Sequence, residues 1–216
     1  ALLLEAEETL QAEPRDIAVD WHRYAEADCE KAGHVEGMAI TMPLAEALAA
    51  AEGVRRAGLL PVIMDASPMC LANAYRALHA HASPERVTCV ANVSGSFADM
   101  AVLHGESALY PRIVFERPNV PGGAARDFAE SLKDVLSFYH FKLREPSVDR
   151  IVLTGPLAAG MAEVLEPLVD VPIEIWNVLA DLPVSGLRAK RHVRQAPDTL
   201  GMQVAVPLGL AVREGR

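Results

Sequence analysis

Three short apolar runs joined by tight turns, with a long amphipathic segment behind them, restrict the folds open to this chain more than any other feature. Val87 to Val93, Ala98 to Leu103 and Leu109 to Phe115 have the length and composition of strands. Ser94-Gly95-Ser96 and Gly105-Glu106 lie between them and carry turn residues, so the block predicts an antiparallel meander. Beyond it, Phe128, Leu132, Val135, Leu136, Tyr139 and Leu143 recur at spacings of three and four, opposite Asp127, Glu130, Lys133 and Asp134. That is one apolar face of a helix. Ile151 to Thr154 reads as a buried strand broken at Gly155-Pro156. A helix through Met161, Val164 and Leu168 follows, then a strand from Ile173 to Trp176. The last apolar run, Met202 to Val212, predicts a closing helix kinked at Pro207.

The first 80 residues are also α/β in character. Leu2, Leu3, Ala6 and Leu10 against Glu5, Glu7 and Glu8 suggest that the chain begins inside a helix, as a fragment trimmed at its N-terminus. Asp16 to Tyr24 alternates Ile17, Val19 and Trp21 with polar or small residues, the period of a half-buried strand. Residues 25 to 36 are charged and predict a loop. Gly37 to Met42 is a short strand, and Pro43 opens a helix carrying Leu44, Leu48, Ala51 and Val54 that Gly58 ends. Leu60 to Met64 predicts another strand. Ser67 before Pro68 then caps a helix with Leu71, Ala74, Tyr75 and Leu78 on its apolar side.

Composition narrows function by exclusion. Of 216 residues, 29 are acidic and 20 basic, a formal charge of −9, which disfavours a nucleic-acid partner because phosphate binding needs a clustered positive field. The basic run Arg188 to Arg194 is the exception and reads as a solvated loop. Cys29, Cys70 and Cys89 are far apart and form no C-x-x-C pair, a usage that suits a reducing compartment. No apolar run approaches the roughly 18 to 20 residues that cross a bilayer, so direct membrane insertion is not expected. His79-x-His81 reads as surface histidines rather than a metal site, since side chains at i and i+2 diverge on a helix. Ser94-Gly95-Ser96 lacks the G-x-S-x-G elbow of a hydrolase nucleophile. Met38, Met42, Met64 and Met69 are core fillers first and an adaptable peptide groove second.

Three stretches carry a family likeness. They are Val90-Ala91-Asn92-Val93-Ser94-Gly95-Ser96; Ser131-Leu132 to Phe138-Tyr139 with Val148-Asp149-Arg150-Ile151-Val152-Leu153-Thr154-Gly155; and Val171-Pro172-Ile173-Glu174-Ile175-Trp176-Asn177-Val178-Leu179. In this order they resemble the second lobe of the actin, sugar-kinase and Hsp70 superfamily. Within it they resemble PilM, the actin-like protein of type IV pilus assembly, whose relatives include FtsA and the cytoplasmic part of GspL. The likeness implies an actin-like, RNase H-like two-lobe fold. Residues 1 to 85 would be an incomplete first lobe carrying an extra subdomain at about 14 to 58, and residues 86 to 216 the second lobe.

The same likeness implies a nucleotide site that has decayed. Relatives that bind ATP grip its phosphates with two glycine-rich hairpins, and a carboxylate beside one of them orients hydrated Mg²⁺. Here the aspartate position is Asn92 and the first glycine position is Ser94, ahead of Gly95 and Ser96; the first hairpin should lie upstream of this sequence. The adenosine turn reads Gly155-Pro156-Leu157-Ala158, in which Pro156 lacks an N–H and Leu157 adds bulk. The expectation is therefore a cytoplasmic scaffold without catalytic residues, metal or required cofactor. It would reach the inner membrane only by holding a cytoplasmic peptide of a PilN-like partner, through residues within 16 to 65. The alternative is an active ATP-binding switch or kinase of the same superfamily. An FtsA-like polymer ranks below both, because no C-terminal amphipathic membrane helix is apparent.

Overall fold

A computed structural model describes residues 7–8, 10–23, 37–79, 85–95, 97–105, 107–109, 112–114, 123–142, 144–182 and 200–213. Two compact units emerge, Ala1–Met64 and Asp65–Arg216. The expected helix at the start of the chain, the loop at 25 to 36 and the basic run at 188 to 194 lie wholly or mostly outside the described residues.

The first unit is built on a hairpin. Strands β1 (Ile17–Arg23) and β2 (Gly37–Pro43) pair antiparallel, from Ile17 opposite Pro43 to Arg23 opposite Gly37. Helix α1 (Leu44–Arg56) follows at once, because Pro43 sits at its N-cap in an extended conformation and needs no amide bond there. Two strands offer α1 too narrow a face to cover its apolar stripe, so Leu48 and Val54 remain exposed. The expected strand at Leu60 to Met64 joins no ladder among the described residues. Leu60, Val62 and Met64 are instead all exposed, and Pro61 interrupts the amides that a ladder would use.

The second unit carries a mixed sheet in the order β5-β4-β3-β7-β8, with β6 also on β4. Here β3 is Thr88–Ser94, β4 Phe97–His104, β5 Ser107–Leu109, β6 Arg112–Val114, β7 Arg150–Thr154 and β8 Ile173–Ile175. The meander is present, but its third expected strand is two. β5 pairs with Val102 to His104 and β6 with Phe97 to Asp99. Pro111 between them has no amide to donate to a continuous ladder. β7 runs parallel to β3, and β8 parallel to β7.

Each sheet face has its own core. Cys89, Ala91, Val93, Ile151 and Leu153 lie under α3 (Gly123–Ser137) and α4 (Ala158–Leu165), with Phe128, Leu132, Met161 and Leu165 buried against them. A π-turn at Phe138–Lys142 ends α3; it buries Tyr139 and leaves Phe138 and Phe141 exposed. The other face, with Val90, Ala101 and Val152, is covered by Leu71, Ala74 and Tyr75 of α2 (Ser67–Leu78) and by Ala205 of α6 (Ala205–Ala211). Because α2 packs on this sheet, the compact units divide at Met64 and Asp65, ahead of the expected boundary at 85 and 86.

Two helix ends differ from expectation. α6 begins at Ala205, so Pro207 falls in its first turn, where no intrahelical donor is required, and the expected kink is absent. Ser67 does not cap α2: the N-cap is Ala66, without a side-chain cap. Asp65 organises this end instead. Its Oδ1 accepts the Ala66 N–H at 2.9 Å, and its side chain, 1% exposed, meets the Arg213 guanidinium just beyond α6. That contact is ionic rather than a directed hydrogen bond. Replacing Arg213 by methionine strands a buried carboxylate and should destabilise the second unit by about 2 kcal/mol, Arg213 itself being a third exposed. A double-mutant cycle with Asp65→Asn, followed by urea unfolding, should recover part of that loss.

Candidate functional site

Parallel pairing of β3 with β7 sets Asn92 opposite Thr154, so both strands end at the same edge of the sheet and their turns lie side by side. Crevices at the carboxyl ends of such strands are where open α/β sheets bind ligands. Gly95 turns from β3 into β4 with φ of 62°, and Gly155 leaves β7 with φ of 96°. Both conformations favour glycine. Gly155 is also pressed into the first turn: a Cβ there would lie 2.5 Å from the Val93 carbonyl oxygen and 2.6 Å from Asn92 Oδ1. The structure thus places the turn at residues 92–95 beside Gly155 and Pro156. Ser96 lies outside the described residues.

Backbone donors of the Gly155 turn are engaged within the protein. Gly155 N–H donates to the Met202 carbonyl at 2.7 Å, and Leu157 N–H donates to the Val93 carbonyl at 3.3 Å. The buried Thr154 hydroxyl lies 3.0 Å from the Met202 carbonyl and 3.1 Å from that of Trp176. Pro156 has no N–H, and Leu157 stands 39% exposed beside it. The segment holding Met202 is itself tightly seated, since a Cβ on Gly201 would overlap Asn177 Oδ1. Asn177 accepts the Leu179 N–H at 3.2 Å and caps the short helix α5 (Val178–Asp181).

One carboxylate near the crevice escaped the sequence reading. Asp99 lies directly across the ladder from Asn92, 2% exposed and engaged within the protein. Its signal was a charge inside the apolar run from Phe97 to Leu103. Among the described residues no group of three or more His, Cys, Asp and Glu side chains is placed to hold a metal ion. His79 is a packing residue that stacks on Tyr75 with ring centroids 4.3 Å apart, while His81 lies outside the described residues. Burial pushes the thiol of Cys70 up to about 11 and that of Cys89 to about 12, so neither supplies a thiolate nucleophile near neutral pH.

No protein-family model and no curated protein matches the chain. Among solved structures it is similar to a chain of the PilM–PilN type IV pilus biogenesis complex, with a TM-score of 0.74 and 20% identity over 98% of this chain and 70% of that one. The fold is actin-like. The ethanolamine utilization protein EutJ from Carboxydothermus hydrogenoformans also aligns, with a TM-score of 0.43 and 12% identity over 75% of this chain and 60% of that one. No described helix is long and apolar enough to cross a membrane. The surface expected to meet a partner, residues 16 to 65, shows exposed Trp21, Leu48, Leu60, Val62 and Met64. Met38 and Met42 stand on one side of β2, whereas Met64 and Met69 belong to different units.

Proposed function

We propose that this chain is a PilM-like assembly scaffold whose nucleotide site is degenerate, and that it holds the cytoplasmic segment of a PilN-like inner-membrane protein through residues within 16 to 65. Likeness of nearly the whole chain to a component of the PilM–PilN complex supports the scaffold and its partner. The observation that carries loss of the nucleotide site is the closure of its second-lobe turns on themselves and on Met202. A phosphate chain needs free backbone N–H groups and close approach. At these turns Gly155 and Leu157 have committed their amides, Pro156 has none, and Asn92 stands neutral where a metal-orienting charge would be needed. Such an arrangement argues against a bound MgATP. Localisation then follows from the partner, with the scaffold peripheral to the inner membrane on its cytoplasmic side.

Calorimetric titration with MgATP tests the nucleotide half of this reading. No binding heat is expected for the chain or for Asn92→Asp, because restoring one charge does not free the Gly155 amide from Met202. Saturable binding by the unaltered chain would instead support the alternative, an ATP-binding switch or kinase. Recovery of binding by Asn92→Asp alone would show that charge rather than closure disabled the site.

A further inference from the structure

The second unit has a concave feature that the crevice at Asn92 and Gly155 does not use. A cavity of about 300 Å³ opens beside β8, framed by Tyr75, His79 and Trp176 and rimmed by Glu174, Ile175 and Asp181. Tyr75 and His79 stack with a 15° interplanar angle, and Trp176 meets them edge-on at 5.4 and 5.5 Å. The Trp176 Nε1–H donates to Asp181 Oδ2 at 2.8 Å, which fixes the indole and places the carboxylate at the cavity mouth. Asp181 and Glu174 keep 40% and 55% of their side chains exposed. Arg150, 17% exposed, is held by the Tyr75 hydroxyl, Thr88 Oγ1 at 3.1 Å and Glu174 Oε2 at 3.5 Å, and His79 Nε2 lies 3.5 Å from Asp181 Oδ2. The two carboxylates outweigh the single permanent cation, Arg150.

Beside this cavity runs a strand edge with no partner among the described residues. Ile151 N–H donates to the Pro172 carbonyl at 2.9 Å, and Trp176 N–H donates to the Leu153 carbonyl at 2.7 Å. Pro172, Glu174 and Trp176 thus turn their backbone toward β7. Strand alternation then directs the N–H and C=O groups of Ile173 and Ile175 to the opposite, open edge of β8. Ile175 is 50% exposed.

We infer that β8 and this cavity together form a docking site for an extended basic segment of a partner protein. The segment adds as a strand along Ile173 and Ile175, and alternate side chains fall on the cavity side. An arginine or lysine there lies beside Glu174 and Trp176 and brings its charge toward Asp181 and the aromatic rings, an arrangement favourable to cations. The formal charge of −9 favours encounter with such a segment. This site lies in the second unit, and it stands or falls separately from the partner surface at residues 16 to 65.

Fluorescence anisotropy of a labelled peptide alternating valine and arginine, titrated with the full chain, tests the inference. The peptide is expected to bind, its counterpart with glutamate for arginine is not, and added salt should weaken the complex. The Glu174→Gln, Asp181→Asn double variant should weaken binding about tenfold. N-methylation of alternate peptide amides, in the register that faces β8, should weaken it by at least about tenfold, as expected when strand hydrogen bonds are lost. Failure of the arginine peptide to bind overturns the proposal. So does binding indifferent to the double variant, and binding indifferent to N-methylation in either register.

Discussion

Replacing Gly209 by alanine is expected to lower the stability of the second unit by about 3 kcal/mol, the upper part of the range for overpacking a tight contact. A Cβ at this position would lie 1.6 Å from the Cys70 carbonyl oxygen and 2.4 Å from its carbonyl carbon. Those atoms are backbone, so no rotamer change relieves the overlap, and α6 must move away from α2. That separation would disturb the core around Leu71, Ala74 and Ala205 and draw Arg213 away from Asp65. Gly160, inside α4, is the control: nothing lies within 4 Å of its would-be Cβ. Gly160→Ala should stabilise the protein by about 0.5–1 kcal/mol, the usual gain for removing glycine from a helix interior. Urea unfolding followed by circular dichroism should separate the two variants in opposite directions.

Phe128→Ala should cost still more, about 4 kcal/mol, because it removes both the transfer free energy of the ring and its packing in a site that cannot fully collapse. Phe128 is wholly buried in the core of the α3 face, together with Leu132, Met100, Leu153 and Leu165. Phe141, in the π-turn beyond α3, is 74% exposed. Its replacement by alanine should change stability by no more than about 0.5 kcal/mol. The same unfolding measurement distinguishes the two phenylalanines.

These residues also mark how far the fold was legible from sequence. Phe128, Leu132 and Tyr139 announce their burial by helical spacing alone, and the meander and the buried strand at Ile151 follow from short apolar runs between turns, whereas the parallel pairing of that strand does not. The exposure of Phe138 beside buried Tyr139 depends on the π-turn, which periodicity does not encode. Gly209 and Asp65 gave no local signal, since the role of each depends on a residue distant in sequence, Cys70 or Arg213. Leu60 to Met64 is a short apolar run like those of the strands, yet such a run does not specify a neighbour to pair with.

The candidate crevice was partly legible for the same reason. Asn92, Ser94 and Pro156 were visible as departures from the pattern of the family likeness, and register brings Asn92 and Gly155 together. The engagement of the Gly155 amide by Met202 was not visible, because it needs the C-terminal segment to return across the end of β7. The aromatic cavity beside β8 was hidden similarly, as Tyr75 and Trp176 come from separate elements on one sheet face.

Calorimetric titration of the chain with a PilN-like cytoplasmic segment, in the presence and absence of MgATP, bears most directly on the proposal that this is a scaffold independent of nucleotide. Saturable binding with the same affinity under both conditions is the predicted result, weakened when exposed Leu60 and Val62 are replaced by serine. Absence of binding, or binding that requires MgATP, would contradict it.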